Sequence, residues 1–166
     1  MNMNSSFSDR ELMRINLGST GRFRREPGAF EIYGSPARPW QYIYTTDKLL
    51  LRVSDRGPIS AQCTPPGGLL LFARGKYDSH APLQLFCMDA GDQSCLSAFS
   101  HSGETGVERI VNFTPSQACY VARNSTFELS TKLGIAVDDT AIYLRSTLRN
   151  TSNEVRRIRF CAVCHI

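Results

Sequence analysis

A chain of 166 residues, 42% of them hydrophobic, is long enough to bury one core and too short for two full domains of ordinary size. Its net charge of +4 rests on 16 arginines and 3 lysines scattered along the chain, which excludes the concentrated basic stripe of a nucleic-acid surface. No apolar run approaches the roughly 20 residues of a membrane-spanning helix, so neither nucleic acid nor membrane is an expected partner.

The first ten residues are polar and lack the apolar stretch of about 7 to 15 residues that marks a signal peptide. A cytoplasmic location is therefore expected, and Cys63, Cys87, Cys95, Cys119, Cys161 and Cys164 are expected to be reduced thiols that fill space. Ser8 and Glu11 have capping-box spacing for a short helix through Ile15, after which Gly18, Gly21 and Pro27 interrupt any regular element. Residues 1–27 are predicted to be an irregular N-terminal arm, with Arg22, Arg24 and Arg25 on a solvated basic loop.

From Gly28 onward, short runs rich in aromatic and β-branched residues recur between Gly, Pro, Asp, Asn and Ser clusters, and no long run keeps a 3.6-residue period. Residues 28–166 thus form one all-β domain. The predicted strands are 29–33, 40–45, 48–53, 58–63, 68–73, 82–88, 95–100, 107–113, 117–123, 126–135, 140–149 and 155–164. Phe127, Leu129, Thr131 and Leu133 keep a period of two, and Asp138 with Asp139 marks the turn that follows. In the last two strands Ile142, Leu144 and Leu148 alternate with Tyr143, Arg145 and Arg149, and Ile158, Phe160 and Ala162 alternate with Arg157 and Arg159. The polar stretch 150–153 between them predicts a hairpin. Helical crossovers, which a parallel sheet needs, are missing from the pattern, so an antiparallel sandwich is the expected architecture. Because the alternation runs to Ile166, the sandwich is expected to be incomplete at its C-terminal end.

Motifs for chemistry are sparse. Cys161-Ala162-Val163-Cys164-His165 has the C-x-x-C-H form of covalent haem attachment, but an offset of three puts the two thiols on opposite faces of a strand. Cys87 and Cys95 are too far apart in sequence for a zinc knuckle. The turn Gly103-Glu104-Thr105-Gly106 lacks the Gly-Lys-Ser or Gly-Lys-Thr ending of a phosphate loop. Asp89, Asp92, Asp138 and Asp139 lie in predicted turns, where short carboxylates serve the backbone. No catalytic residue, metal or cofactor is therefore expected. The segment Arg38-Pro39-Trp40-Gln41-Tyr42-Ile43-Tyr44 is different, because aromatic rings beside an arginine can stack on the C–H face of a sugar while polar tips address its hydroxyls. Arg38, Trp40 and Tyr42 are the candidate carbohydrate-binding residues; the simpler role for the rings is one face of a half-buried strand.

Several features in order resemble glycoside hydrolase family 94, the cellobiose-phosphorylase-like and cyclic β-glucan-phosphorylase-like enzymes. They are 28–33, the Pro39-Trp40 pair leading into Tyr42, the strand and turn 50–58, the Pro65-Pro66-Gly67-Gly68 loop with 69–72, and Leu148-Arg149-Asn150-Thr151-Ser152 before an alternating strand. The likeness spans residues 28–164. It implies an N-terminal β-supersandwich of the galactose-mutarotase-like kind, joined in full-length members to an (α/α) barrel that holds the catalytic acid and the phosphate site. Such enzymes are inverting phosphorylases: an acid protonates the glycosidic oxygen while inorganic phosphate attacks the anomeric carbon. The resemblance further implies a β-glucan type of oligosaccharide and inorganic phosphate as partners of the full-length relatives, and a homodimer. It assigns no catalytic residue to this chain. An autonomous carbohydrate-binding module is the alternative.

Overall fold

The computed structural model describes residues 20–25, 28–34, 36–64, 68–73, 81–100 and 105–164. The helix expected at 8–15, the Pro65 to Gly67 turn, Gly103, Glu104 and His165 lie outside them.

Among the described residues the chain forms β1 (Gly21–Phe23), β2 (Phe30–Tyr33), β3 (Gln41–Thr45), β4 (Leu49–Ser54), β5 (Gly57–Cys63), β6 (Leu70–Ala73) and β7 (Leu83–Asp89). It continues through β8 (Cys95–Ser97), β9 (Glu108–Phe113), β10 (Gln117–Arg123), β11 (Phe127–Ile135), β12 (Ile142–Asn150) and β13 (Ile158–Cys164). Every strand pairing is antiparallel. A six-stranded sheet has the order β1-β2-β9-β10-β11-β12, a four-stranded sheet β3-β4-β5-β6, and a three-stranded sheet β13-β7-β8.

The period of two decides which side chains are buried. Phe127, Leu129, Thr131, Leu133 and Ile135 share one face of β11, and the register continues that face through Ala118, Tyr120 and Ala122 to Val111 and Phe113, then to Phe30 and Ile32. Facing them, the two smaller sheets contribute Leu49, Leu51, Val53 and Ala61, and Leu85, Cys87 and Leu96, to one continuous core. The molecule is thus an all-β sandwich with one large sheet covered by two small ones. Tyr120 fastens the layers: its ring meets Phe99 edge-on at a 4.9 Å centroid separation, and its hydroxyl donates to the Ser54 carbonyl at 2.9 Å. Arg109 adds a second tie, donating to the Ala98 and Ser97 carbonyls at 3.3 and 3.0 Å.

All twelve predicted strands are present, with β8 ending early at Ser97. Three expectations change. The arm is not irregular throughout, since Gly21–Phe23 pairs with β2, and Arg22 and Arg24 are not a merely solvated loop. Both guanidiniums close on Glu31, a side chain only 8% exposed, because a covered carboxylate needs a counter-charge.

Nor do β12 and β13 form a hairpin. Strand β12 pairs with β11, while β13 joins β7 in the three-stranded sheet. Stretch 151–157 carries the chain from one layer to the other. Asn150 shapes its start by donating to the Glu154 carbonyl at 2.7 Å, and Arg156 holds its end by reaching Asp89 and Asp92 at 3.2 and 3.0 Å. Local turn chemistry was legible in Asn150 and Ser152; the long-range ion pairs that redirect the chain were not.

The third change concerns the expected dry faces. Ile142, Leu144 and Leu148 keep their alternation yet are only half-buried, and on β13 Phe160 is 55% exposed. Strand β12 lies at the edge of its sheet and β13 at the edge of another, so apolar side chains there meet a neighbour on one flank only.

Candidate functional site

The β3 segment is built by three backbone anchors. The Trp40 amide donates to Asp55 Oδ1 at 2.7 Å, the Asp55 amide donates to the Trp40 carbonyl at 3.1 Å, and Arg56 donates to the Pro36 carbonyl at 3.1 Å. Burial pushes the Asp55 pKa up, opposed by the Trp40 and Asp55 amides that donate to its carboxylate. These contacts fix the approach to β3, which then pairs with β4 from Gln41 opposite Ser54 to Thr45 opposite Leu50.

Strand geometry places Trp40, Tyr42 and Tyr44 on one face, turned toward the large sheet. Trp40 and Tyr42 are half-buried and Tyr44 is buried. The rings meet those of β2 and β9: Phe30 lies 5.9 Å from both Trp40 and Tyr42 and 4.9 Å from Phe113, and Tyr42 stacks on Phe113 at 5.7 Å with an interplanar angle of 5°. Tyr42 also sits 4.8 Å from Tyr44 and donates its hydroxyl to the Gly28 carbonyl at 3.3 Å. Arg38 is exposed on the loop before them. The structure therefore brings Trp40 and Tyr42 together in one aromatic row and leaves Arg38 at its rim. Much of the Tyr42 ring surface is engaged by Phe113, Phe30 and Tyr44, which is the structural role weighed for this segment.

Phe30, Phe113 and Asp55 were not singled out by sequence pattern. Phe30 and Phe113 belong to strands far apart in sequence that become neighbours only through the β2–β9 pairing, and no local signal announces that.

At the Tyr44 end the row borders a cleft of about 390 Å³ between the two layers, lined by Tyr44, Thr45, Pro115, Ile135, Val137 and Tyr143 among others. A second concavity of about 480 Å³, along β1, β2 and β9 of the large sheet, includes Arg22, Glu31, Tyr33 and Glu108. A third, of about 470 Å³, is formed by Asp89, Gly91 and the 154–157 crossover around Arg156. The charged groups in the last are engaged with one another: Arg156 bonds Asp89, Asp92 and Glu154.

Asp89 Oδ1 accepts from the Gly91 amide at 2.7 Å, and Asp139 accepts from the Thr140 amide at 2.7 Å, so these carboxylates shape turns. Cys161 and Cys164 are exposed free thiols on the edge strand β13. Among the described residues no group of three His, Cys, Asp or Glu side chains is arranged to hold a metal ion, and no helix is long and apolar enough to cross a membrane.

No protein-family model matches this chain, and no curated protein matches it significantly.

Proposed function

We propose that this chain is a non-catalytic carbohydrate-contacting β-sandwich of the type that accompanies the catalytic barrel of an inverting glycoside phosphorylase. The observation that carries the reading is the aromatic row of β3, where Trp40 and Tyr42 are only half-buried and exposed Arg38 lies two residues before Trp40 on the loop that leads into it. A rim of this composition suits a neutral oligosaccharide of the β-glucan type: the uncovered part of the Trp40 indole offers apolar area to a C–H face, and a guanidinium donates to hydroxyls. The family resemblance of residues 28–164 supports the phosphorolytic setting, in which inorganic phosphate is handled by the barrel and not by this domain.

The edge strands support an assembly role. Phe160 on the edge strand β13 is 55% exposed, and a large apolar ring left open on a sheet edge is the kind of feature that another domain or a second copy covers. An autonomous carbohydrate-binding module shares the β3 row but has no use for this surface.

Titration of the isotopically labelled chain with cellotetraose tests the reading. Saturable shifts of the single Trp40 indole resonance, reduced at least severalfold in Arg38→Ala, are expected. An indole signal that stays still up to millimolar oligosaccharide overturns it.

A further inference from the structure

Strand β12 closes one side of the six-stranded sheet, and among the described residues no strand pairs with its outer flank. The opposite edge, β1, has three residues and offers little ladder to another chain, whereas β12 has nine. Which of its peptide groups point outward follows from the bonds at its two ends. The Ala136 amide donates to the Ala141 carbonyl at 2.9 Å, and the Thr151 amide donates to the Thr126 carbonyl at 2.8 Å. Both bonds continue the register in which Ile135 faces Ile142 and Phe127 faces Asn150. Antiparallel bonding alternates along a strand, so Tyr143, Arg145, Thr147 and Arg149 turn their peptide groups to β11. The N–H and C=O groups of Ile142, Leu144, Ser146 and Leu148 therefore point away from the sheet.

The side chains divide in the same way. Ile142, Leu144 and Leu148 pack against the core and are half-buried, while Tyr143, Arg145, Thr147 and Arg149 stand exposed on the outer face. Elsewhere on that face arginines are matched: Arg123 pairs with Glu128 and Glu108, and Arg22 and Arg24 close on Glu31. Arg145 and Arg149 have no acidic partner among the described residues. Arg149 lies opposite Glu128, but Arg123 holds that carboxylate. Arg145 lies opposite Lys132, another exposed cation, and like charges directly opposed in a ladder are unfavourable.

We infer that the β12 edge takes up an extended segment of a partner protein in which acidic and apolar residues alternate, added to the large sheet as a further strand. Residues opposite Leu144 and Leu148 cover the apolar row, and acids opposite Arg145 and Arg149 supply the missing counter-charges. Main-chain bonds to the outward peptide groups give affinity, and the alternation of side chains gives selection. The same cations select against a second copy, because β12 against β12 brings two more arginines onto one face. The β13 edge of another copy is no better suited, since its sequence from Ile158 to Cys164 contains Arg159 and no acid. This surface uses neither Arg38, Trp40 nor Tyr42 and does not depend on the carbohydrate reading.

The experiment titrates the labelled 166-residue chain with the capped peptide Glu-Val-Thr-Val-Glu-Val and with its counterpart carrying Lys for Glu. Saturable amide shifts in β12 with the acidic peptide alone are expected. Hydrogen exchange gives the strand-specific signature: amides of Leu144, Ser146 and Leu148, fast in the free chain, gain protection, while those of Arg145 and Thr147, already bonded to β11, change little. Arg145→Glu combined with Arg149→Glu, at two exposed positions, keeps the fold, weakens the acidic peptide about tenfold or more and admits the Lys peptide. N-methylation of the three peptide valines, whose amides face β12 in this register, abolishes binding. Equal binding of the acidic and Lys peptides, no saturation at millimolar acidic peptide, or undiminished binding of the N-methylated one overturns the inference. Protection of the same amides that grows with protein concentration, with no peptide added, assigns the edge to a second copy and overturns it as well.

Discussion

Gly57 and Phe99 approach so closely that a Cβ added to the glycine would stand 2.9 Å from the Phe99 Cβ and 3.2 Å from that of Ala81. The glycine opens β5 in the four-stranded sheet, and Phe99 follows β8 in the three-stranded one, so the contact marks where the two small sheets meet over the large sheet. Its φ of +120° is a second reason for glycine at this position. Gly57→Ala should therefore destabilise the fold by about 3 kcal/mol, combining overpacking with backbone strain. Urea unfolding followed by Trp40 fluorescence measures this. A change below about 1 kcal/mol would show that the small sheets can separate without cost.

The Tyr120 hydroxyl ties the layers a short distance away. Tyr120→Phe retains the edge contact with Phe99 but leaves the buried Ser54 carbonyl short of a donor, which costs about 1–2 kcal/mol. Unfolding midpoints of the two chains, compared at constant m-value, give the difference directly.

The pH dependence follows from Glu31. Burial alone would raise its pKa, but the guanidiniums of Arg24 and Arg22 together outweigh burial and hold the carboxyl below the usual glutamate range. The folded pKa is the lower one, so the unfolded chain takes up its proton first as pH falls. Stability from this group is present above the unfolded value of about 4.3 and is lost as pH descends through the folded value. Both arginines are about half exposed to solvent, which limits the gain to about 0.5–1 kcal/mol. Wild-type protein should lose that much more stability than Glu31→Gln between about pH 6 and pH 3, as read from urea midpoints. Equal losses would mean that the arginines do not act on Glu31 in solution.

How far the fold was legible depends on what each residue's role requires. The inward face of β11 could be read from Phe127 to Leu133 because a half-buried strand writes its burial as alternation. Trp40 and Tyr42 were found for the same reason, as one face of one strand. What alternation omits is the partner. Whether Trp40 meets a sugar or Phe30 depends on a strand pairing between residues remote in sequence, and the direction taken after Asn150 depends on Arg156 finding Asp89 in another sheet. Glu31 was missed because a lone acid in an apolar strand looks like an exposed residue until Arg22 and Arg24 fold over it.

Arg156 is the pin of that crossover. Asp89, whose side chain is 2% exposed, has its Oδ2 paired to Arg156 and its Oδ1 to the Gly91 amide. Arg156→Ala strips a covered carboxylate of its counter-charge, so the chain should lose stability, by less than in the fully buried case because Arg156 itself reaches solvent. Hydrogen exchange should localise the effect, with amides of β13 and β7 losing protection before those of β10 and β11. Uniform loss across all sheets would show that the crossover is not a separate unit.

Thiol reactivity tests how the three-stranded sheet is covered. Strand β13 pairs with β7 along Cys161 to Phe86 and Cys164 to Leu83, at the edge of the sheet, and both of its thiols are exposed, as is Cys95 on β8. One strand inward, Cys87 is fully buried against the large sheet, and burial together with Cys95 nearby pushes its thiol up to about 11. Only thiolate attacks a disulfide reagent, so both access and ionisation protect Cys87. At mildly alkaline pH, Cys161, Cys164 and Cys95 should react fast, half-buried Cys63 and Cys119 more slowly, and Cys87 only at the rate of unfolding. Peptide mapping after timed labelling separates them. If Cys87 labels as fast as Cys161, then β7 is not covered by the large sheet, and the core shared by the three sheets does not hold together as described.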